Sequence, residues 1–184
     1  MKLISKPILM RALNRLGELA NDRGLQLEVC LYGGALMMLA YDAREITKDV
    51  DAIIRPSREG QTLARLVGRE LGLPEDWLND HVKMFIAPEE HLRDLPWEGP
   101  GIMLTAPTAS YLLAMKALAC RQPLPGYEGD LVDLRFLIKK LGVTSVEDIQ
   151  SHVNRYYPDD VITPEHSAVM ELIIQEVGRH DQRT

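Results

Sequence analysis

Cysteine is scarce in this chain. Among 184 residues only Cys30 and Cys120 occur. With no Cys-x-x-Cys and no neighbouring His pair, neither a disulfide framework nor a structural zinc site is indicated, and both thiols are expected to be buried. Long apolar runs are also lacking: none approaches the roughly 18 residues of a bilayer span. The opening Met1-Lys2-Leu3-Ile4-Ser5-Lys6-Pro7 has too little apolar length for a signal peptide, which sets the expectation of a cytoplasmic protein with no membrane partner. Positive charge is not in excess. The formal net charge of -6 gives no overall attraction to nucleic acid, although a local basic patch is compatible with it. Neither Gly-x-Gly-x-x-Gly nor Gly-x-x-x-x-Gly-Lys-Ser/Thr is present, which argues against dinucleotide and P-loop binding. The five histidines are scattered without metal-ligand spacing and take no role.

What is present suffices for a folded core, since 46% of the residues are hydrophobic. Leu9, Leu13, Leu16 and Ala20 recur at helical steps and predict an amphipathic first helix, with Gly24 as its terminator. Leu25, Leu27, Val29 and Leu31 alternate with Gln26, Glu28 and Cys30 and predict a strand. Gly33-Gly34 follow as a turn, Ala35 to Tyr41 as a short helix, and Asp49 to Ile54 as a second strand. Ser57 is the expected N-cap of a helix to about Glu70, ended by Gly72 and Pro74. Val82 to Ile86 and Ile102 to Leu104 are read as further strands. From Pro107 onward the signals are helical: Thr108 to Arg121, Asp130 to Leu141 stopped by Gly142, Ser145 to Tyr156, and a last helix opened by Thr163-Pro164 and running to about Val177. The loop Gln122 to Gly129, with its prolines and glycines, is long enough to be mobile. The expected architecture is α+β: a small mixed β-sheet flanked by helices over residues 1–106, then a C-terminal helical bundle over 107–184.

The most informative feature is the doublet Asp49 and Asp51 in Thr47-Lys48-Asp49-Val50-Asp51. Two carboxylates at i and i+2 of a strand share a face, so they are able to converge on one divalent cation. Taken singly, these residues have blander uses. A glycine pair makes a plain turn, acidic residues solvate a strand edge, Lys116 snorkels from a core helix, and Asp130 marks a helix start.

In combination they carry a resemblance. Tyr32-Gly33-Gly34-Ala35-Leu36, Arg44-Glu45-Ile46-Thr47-Lys48-Asp49-Val50-Asp51, Leu113-Ala114-Met115-Lys116-Ala117-Leu118-Ala119-Cys120-Arg121 and Asp130-Leu131-Val132-Asp133-Leu134 occur in this order. The pattern resembles the nucleotidyltransferase fold of the polymerase β superfamily, and within it the AbiEii-type group of bacterial nucleotidyltransferase toxins and their short relatives. The resemblance implies a transferase that moves a nucleoside monophosphate from an NTP to an acceptor. Gly33 and Gly34 would cradle the triphosphate, with Thr47 beside them, and Asp49 and Asp51 would hold Mg²⁺. Lys116 would set its ammonium against the β and γ phosphates. Asp130 and Asp133 would contact the base, orient Lys116, or position the acceptor. RNA is the acceptor the resemblance suggests, in a toxin–antitoxin setting with an antitoxin protein as partner; protein and small-molecule acceptors stay open. One departure stands out. Many members add a third carboxylate from a later strand, and neither Val82 to Ile86 nor Ile102 to Leu104 supplies one; Asp80, Asp94 and Glu98 lie nearby in sequence. That departure leaves room for a catalytically silent module that binds nucleotide or a partner protein.

Overall fold

The computed structural model describes residues 3–89, 91–123 and 129–181. They form seven strands and seven α-helices: β1 (Ile4–Ser5), α1 (Lys6–Asn21), β2 (Leu27–Leu31), α2 (Gly33–Tyr41), β3 (Ile46–Thr47), β4 (Val50–Arg55), α3 (Ser57–Leu71), β5 (Leu78–Asn79), β6 (Leu92–Asp94), β7 (Ile102–Pro107), α4 (Ala109–Ala119), α5 (Leu131–Leu141), α6 (Val146–Tyr156) and α7 (Pro164–Asp181). The chain is mixed α+β and divides into two units. One contains the residues up to Ile86 together with Leu92–Pro107; the other contains Ala87–His91 and the residues from Thr108 on.

In the first unit five strands form a sheet in the order β5-β4-β2-β7-β6, while β1 and β3 make a separate antiparallel pair. The central strand β2 runs antiparallel to β4 and parallel to β7. Strand alternation decides which face is covered. Leu27, Val29 and Leu31, with Val50, Ala52 and Ile54 and with Ile102, Leu104 and Ala106, are buried. Helix α3 packs on β4 and α1 on β7. The opposite face of β4 carries Asp51 and Ile53, both partly exposed. This alternation is why Asp51 faces away from the hydrophobic core.

Several boundaries differ from the sequence reading. Val82 to Ile86 is not a strand: His81–Phe85 form a 3₁₀ helix, and the pairing strand is the shorter β5 before it, held in parallel to β4 with Val50 opposite Leu78 and Asp51 opposite Asn79. Met84 and Phe85 are exposed, so their apolar character did not signal burial. Ser57 is the first residue of α3, whose N-cap is Pro56. Asp49 precedes β4 and lies outside it. The turn at Gly33-Gly34 is itself the first turn of α2. The middle of the loop Gln122 to Gly129, residues 124–128, falls outside the described residues.

All helices of the second unit end or begin where capping chemistry places them. Thr108 caps α4 through its hydroxyl, which accepts from the Tyr111 N–H. Ser145 and Asp148 form a reciprocal capping box on α6, and the Thr163 hydroxyl accepts from the His166 N–H at the start of α7. Gly142 ends α5 at φ 64°. Helices α4 and α6 are joined by a polar relay: the Tyr156 hydroxyl donates to Ser110 Oγ (2.9 Å), which lies 2.8 Å from His152 Nδ1. Tyr156 also stacks on Tyr111 at 4.9 Å between ring centroids.

Burial, and then the Arg155 charge, hold the His152 pKa below its usual value. The folded state therefore favours neutral imidazole. Its contribution is present above the unfolded value of about 6.5 and is lost as pH falls below it toward the folded value. Replacing His152 with Phe should accordingly flatten the decline of unfolding free energy as pH falls below about 6.5; a urea-melt series on the acid side of that value showing the same slope in both chains would contradict this.

Candidate functional site

Two clusters hold the residues singled out by the sequence, one in each unit. The first is built on the β2–α2 junction. Leu31 ends β2, Tyr32 stays extended at φ -129° and ψ 180°, and Gly33 turns to φ 57°, opening α2 with no side-chain cap on its first turn. A left-handed φ of this kind costs an L-residue roughly 1–2 kcal/mol, which is why glycine sits here. The first N–H groups of any helix lack partners within the helix, and their dipole favours an anion. Hence the sequence places an uncapped, backbone-only turn at the end of the central strand.

Neighbouring side chains press directly onto this turn. The Tyr32 N–H donates to the Asp51 carbonyl at 2.9 Å, extending the β2–β4 ladder beyond Leu31 opposite Ala52. That bond brings Asp51 beside Gly33. A Cβ added to Gly33 would stand 2.7 Å from Asp51 Oδ2, and one added to Gly34 would stand 2.6 Å from Thr47 Oγ1. The Thr47 hydroxyl donates to the Asp49 carbonyl at 3.0 Å, which shapes the approach to β4. The Asp49 carboxylate is fixed from a third strand: its Oδ2 accepts from Asn79 Nδ2 at 3.3 Å. Asn79 is 7% exposed, and its Oδ1 accepts from the His81 N–H at 3.0 Å. Gly33, Gly34, Thr47, Asp49 and Asp51 thus belong to one neighbourhood, with Asn79 as an added member.

The donor set suits a hard cation. Two carboxylates beside the turn offer oxygen ligands, and Mg²⁺ accepts one or two protein carboxylates while keeping several waters. Among the described residues no group of three or more His, Cys, Asp or Glu is arranged to hold a metal. Of the three acidic residues near in sequence, Asp80 is the N-cap of the 3₁₀ helix, Asp94 ends the edge strand β6 opposite Thr105, and Glu98 is exposed in the loop before β7.

The second cluster lies between α4 and α5. Lys116, 6% exposed, directs Nζ to Asp130 Oδ1 at 2.5 Å and to Asp133 Oδ2 at 2.8 Å, and both aspartates are fully buried. Asp130 occupies the N-cap position of α5 without bonding that helix's own N–H groups. Instead its Oδ2 accepts from the Arg121 N–H at 2.9 Å and from Arg121 Nε at 3.1 Å, while its own N–H donates to the Arg121 carbonyl. Both aspartates contact Lys116 Nζ, the contact that the expected orienting role requires. The ammonium is enclosed in an ion cluster, donating to Asp130 and ion-paired with Asp133. Burial alone would lower the Lys116 pKa, but the Asp133 and Asp130 carboxylates outweigh it and raise it above the usual value. Burial likewise opposes ionisation of Asp130, and the Lys116 ammonium with the Arg121 N–H outweighs that and holds the carboxyl below its usual range. Cys120, which closes α4, is a buried thiol whose pKa is raised by that burial and by Asp130; Cys30 is buried as well.

Sequence reasoning singled out every member of these clusters except Asn79 and Arg121. Arg121 stood in a quoted segment without a role. Asn79 had no signal, because an amide in a two-residue strand has no periodicity.

Comparison with protein-family models, with curated proteins and with solved structures returns no match. Among the described residues no helix is long and apolar enough to cross a membrane.

Two outcomes follow from this geometry. Gly33→Ala should cost about 1–2 kcal/mol from backbone conformation alone and push the Asp51 carboxylate off the turn, read as a lower urea midpoint at unchanged m value. Lys116→Ala should cost about 3–5 kcal/mol, because it removes the buried cation shared by two buried carboxylates. The Asp130 contribution is present above its unfolded pKa of about 3.9 and lost as pH falls through the lower folded value. The Lys116 contribution is present below about 10.4 and lost as pH rises through the higher folded value. Stability from the cluster should therefore be flat between those limits, and a Lys116→Ala chain melting like the parent at pH 7 would refute the assignment.

Proposed function

We propose that the chain is a nucleotidyltransferase of the polymerase β type, resembling the AbiEii-type toxins, which moves a nucleoside monophosphate from an NTP to an acceptor. The observation that carries this reading is the Asp51 carboxylate packed on a positive-φ glycine at the mouth of an uncapped helix. Anionic oxygens and a cation ligand are needed side by side in phosphoryl chemistry, and this turn offers places for both.

Each residue of the first unit has a role in this reading. Gly33 and Gly34 let phosphate oxygens approach the first-turn N–H groups of α2, where a Cβ would intrude. Asp49 and Asp51 would hold Mg²⁺, with Thr47 fixing the backbone between them and the glycines. Bound there, the cation would offset negative charge developing on the α-phosphate. The acceptor oxygen forms a bond to the α-phosphorus as the bond to the bridging β-phosphate oxygen breaks. Pyrophosphate leaves with that electron pair, and the acceptor's proton passes to solvent. Phosphate binding by Lys116 rests on the resemblance; its enclosure by Asp130 and Asp133 supports a role in tying α4 to α5. RNA in a toxin–antitoxin setting is the acceptor the resemblance favours, with protein and small molecules as the alternatives.

One observation favours a second reading, a silent module that binds nucleotide or a partner protein without transfer. The described residues contain no grouped third carboxylate. Incubation with labelled NTPs, Mg²⁺ and total RNA or cell extract separates the two. For the enzyme, label moves to an acceptor, and Asp51→Asn lowers the rate by roughly a hundredfold or more while the fold persists. NTP-dependent thermal stabilisation without any label transfer would instead select the module.

A further inference from the structure

We propose that Asn79 is a positioning residue that fixes the Asp49 carboxylate as a cation ligand and limits the site to a single divalent cation. This rests on the nucleotidyltransferase reading and names a residue and a metal count that the reading lacked.

Strand register makes the first part of the argument. β5 pairs in parallel with β4, and Asn79 is the residue opposite Asp51. Directly opposed residues on neighbouring strands project to the same face at about 5 Å between Cβ atoms. The Asn79 amide therefore stands beside Asp51 while its Nδ2 donates to Asp49 at 3.3 Å. It is the side chain common to both carboxylates.

Hydrogen bonding fixes which end of the amide points where. The His81 N–H donates to Oδ1 at 3.0 Å, and Asp49 Oδ2 accepts from Nδ2. Turned over, the amide would set a donor against the His81 N–H and an oxygen against a carboxylate, so only one orientation satisfies both neighbours. At 7% exposure the amide has little water to compensate a lost bond. The backbone of the 3₁₀ helix thus locks the amide, and the amide locks Asp49. Outer partners of this kind typically change metal affinity by about 10- to 100-fold when removed.

Charge supplies the second part. Asn79 stands where a residue of the next strand would face both aspartates, and it is neutral. Its oxygen accepts from the His81 N–H, and the side chain adds no anionic ligand beside Asp49 and Asp51. A second divalent cation close to the first is repelled by it and needs a further anionic ligand, which the amide does not provide.

Mn²⁺, an oxygen-seeking spectroscopic stand-in for Mg²⁺, tests both parts without recourse to turnover. Titration of the full chain followed by electron paramagnetic resonance should give one Mn²⁺ per chain, lost in Asp51→Asn. Asn79→Leu should bind one Mn²⁺ about 10- to 100-fold more weakly. Asn79→Asp, which supplies the further anionic ligand, should bind two. If the parent chain binds no Mn²⁺, or Asp51→Asn binds it equally well, the nucleotidyltransferase reading itself fails. If binding depends on Asp51 while Asn79→Leu keeps full affinity, or Asn79→Asp still takes one ion, only the Asn79 assignment is overturned.

Discussion

A single hydrogen bond, from the Tyr32 N–H to the Asp51 carbonyl, sets the geometry on which the functional reading depends. It extends antiparallel pairing between the central strand and its neighbour to the point where the chain turns into α2. Strand alternation then forces the Asp51 side chain off the packed face while Val50 and Ala52 stay in the core. Since Gly33 has no Cβ, the carboxylate settles against the turn itself. Pairing, alternation and one glycine together create a place where the uncapped first turn of a helix and a carboxylate adjoin.

The second unit solves a different problem. Its helices bury two aspartates and a lysine, which is costly unless the charges satisfy one another. Lys116 answers both carboxylates, and Arg121 answers Asp130 with side chain and backbone together. The cluster is balanced, with two cationic and two anionic groups. Removing one member is expensive for that reason, whereas the same charges at the surface would contribute little.

Helix stops and starts were legible in the sequence because they follow from local chemistry: Gly72 and Gly142 at left-handed caps, Ser145 as an N-cap, Thr163 before Pro164. The strand pair carrying the glycines and Asp51 was legible too, through alternation over five or six residues. What escaped was short or borrowed. A two-residue strand such as Leu78–Asn79 offers no period to detect, and the apolar Val82 to Ile86 run imitated a strand while leaving Met84 and Phe85 exposed. Asp49 and Asp51 share the spacing of a strand face, but β4 begins only at Val50, so Asp49 is oriented by Asn79 across thirty residues of sequence and not by strand geometry. Lys116, Asp130 and Asp133 were recognisable as a set, yet whether the lysine faced a ligand or the aspartates depended on the packing of two helices.

A crystal structure of the chain with Mg²⁺ and a non-hydrolysable NTP analogue tests the central claim most directly. The account predicts a cation shared by the carboxylates of Asp49 and Asp51, with phosphate oxygens received by the N–H groups at Gly33 and Gly34. A nucleotide seated elsewhere, or a triphosphate at the turn whose metal touches neither aspartate, would contradict it.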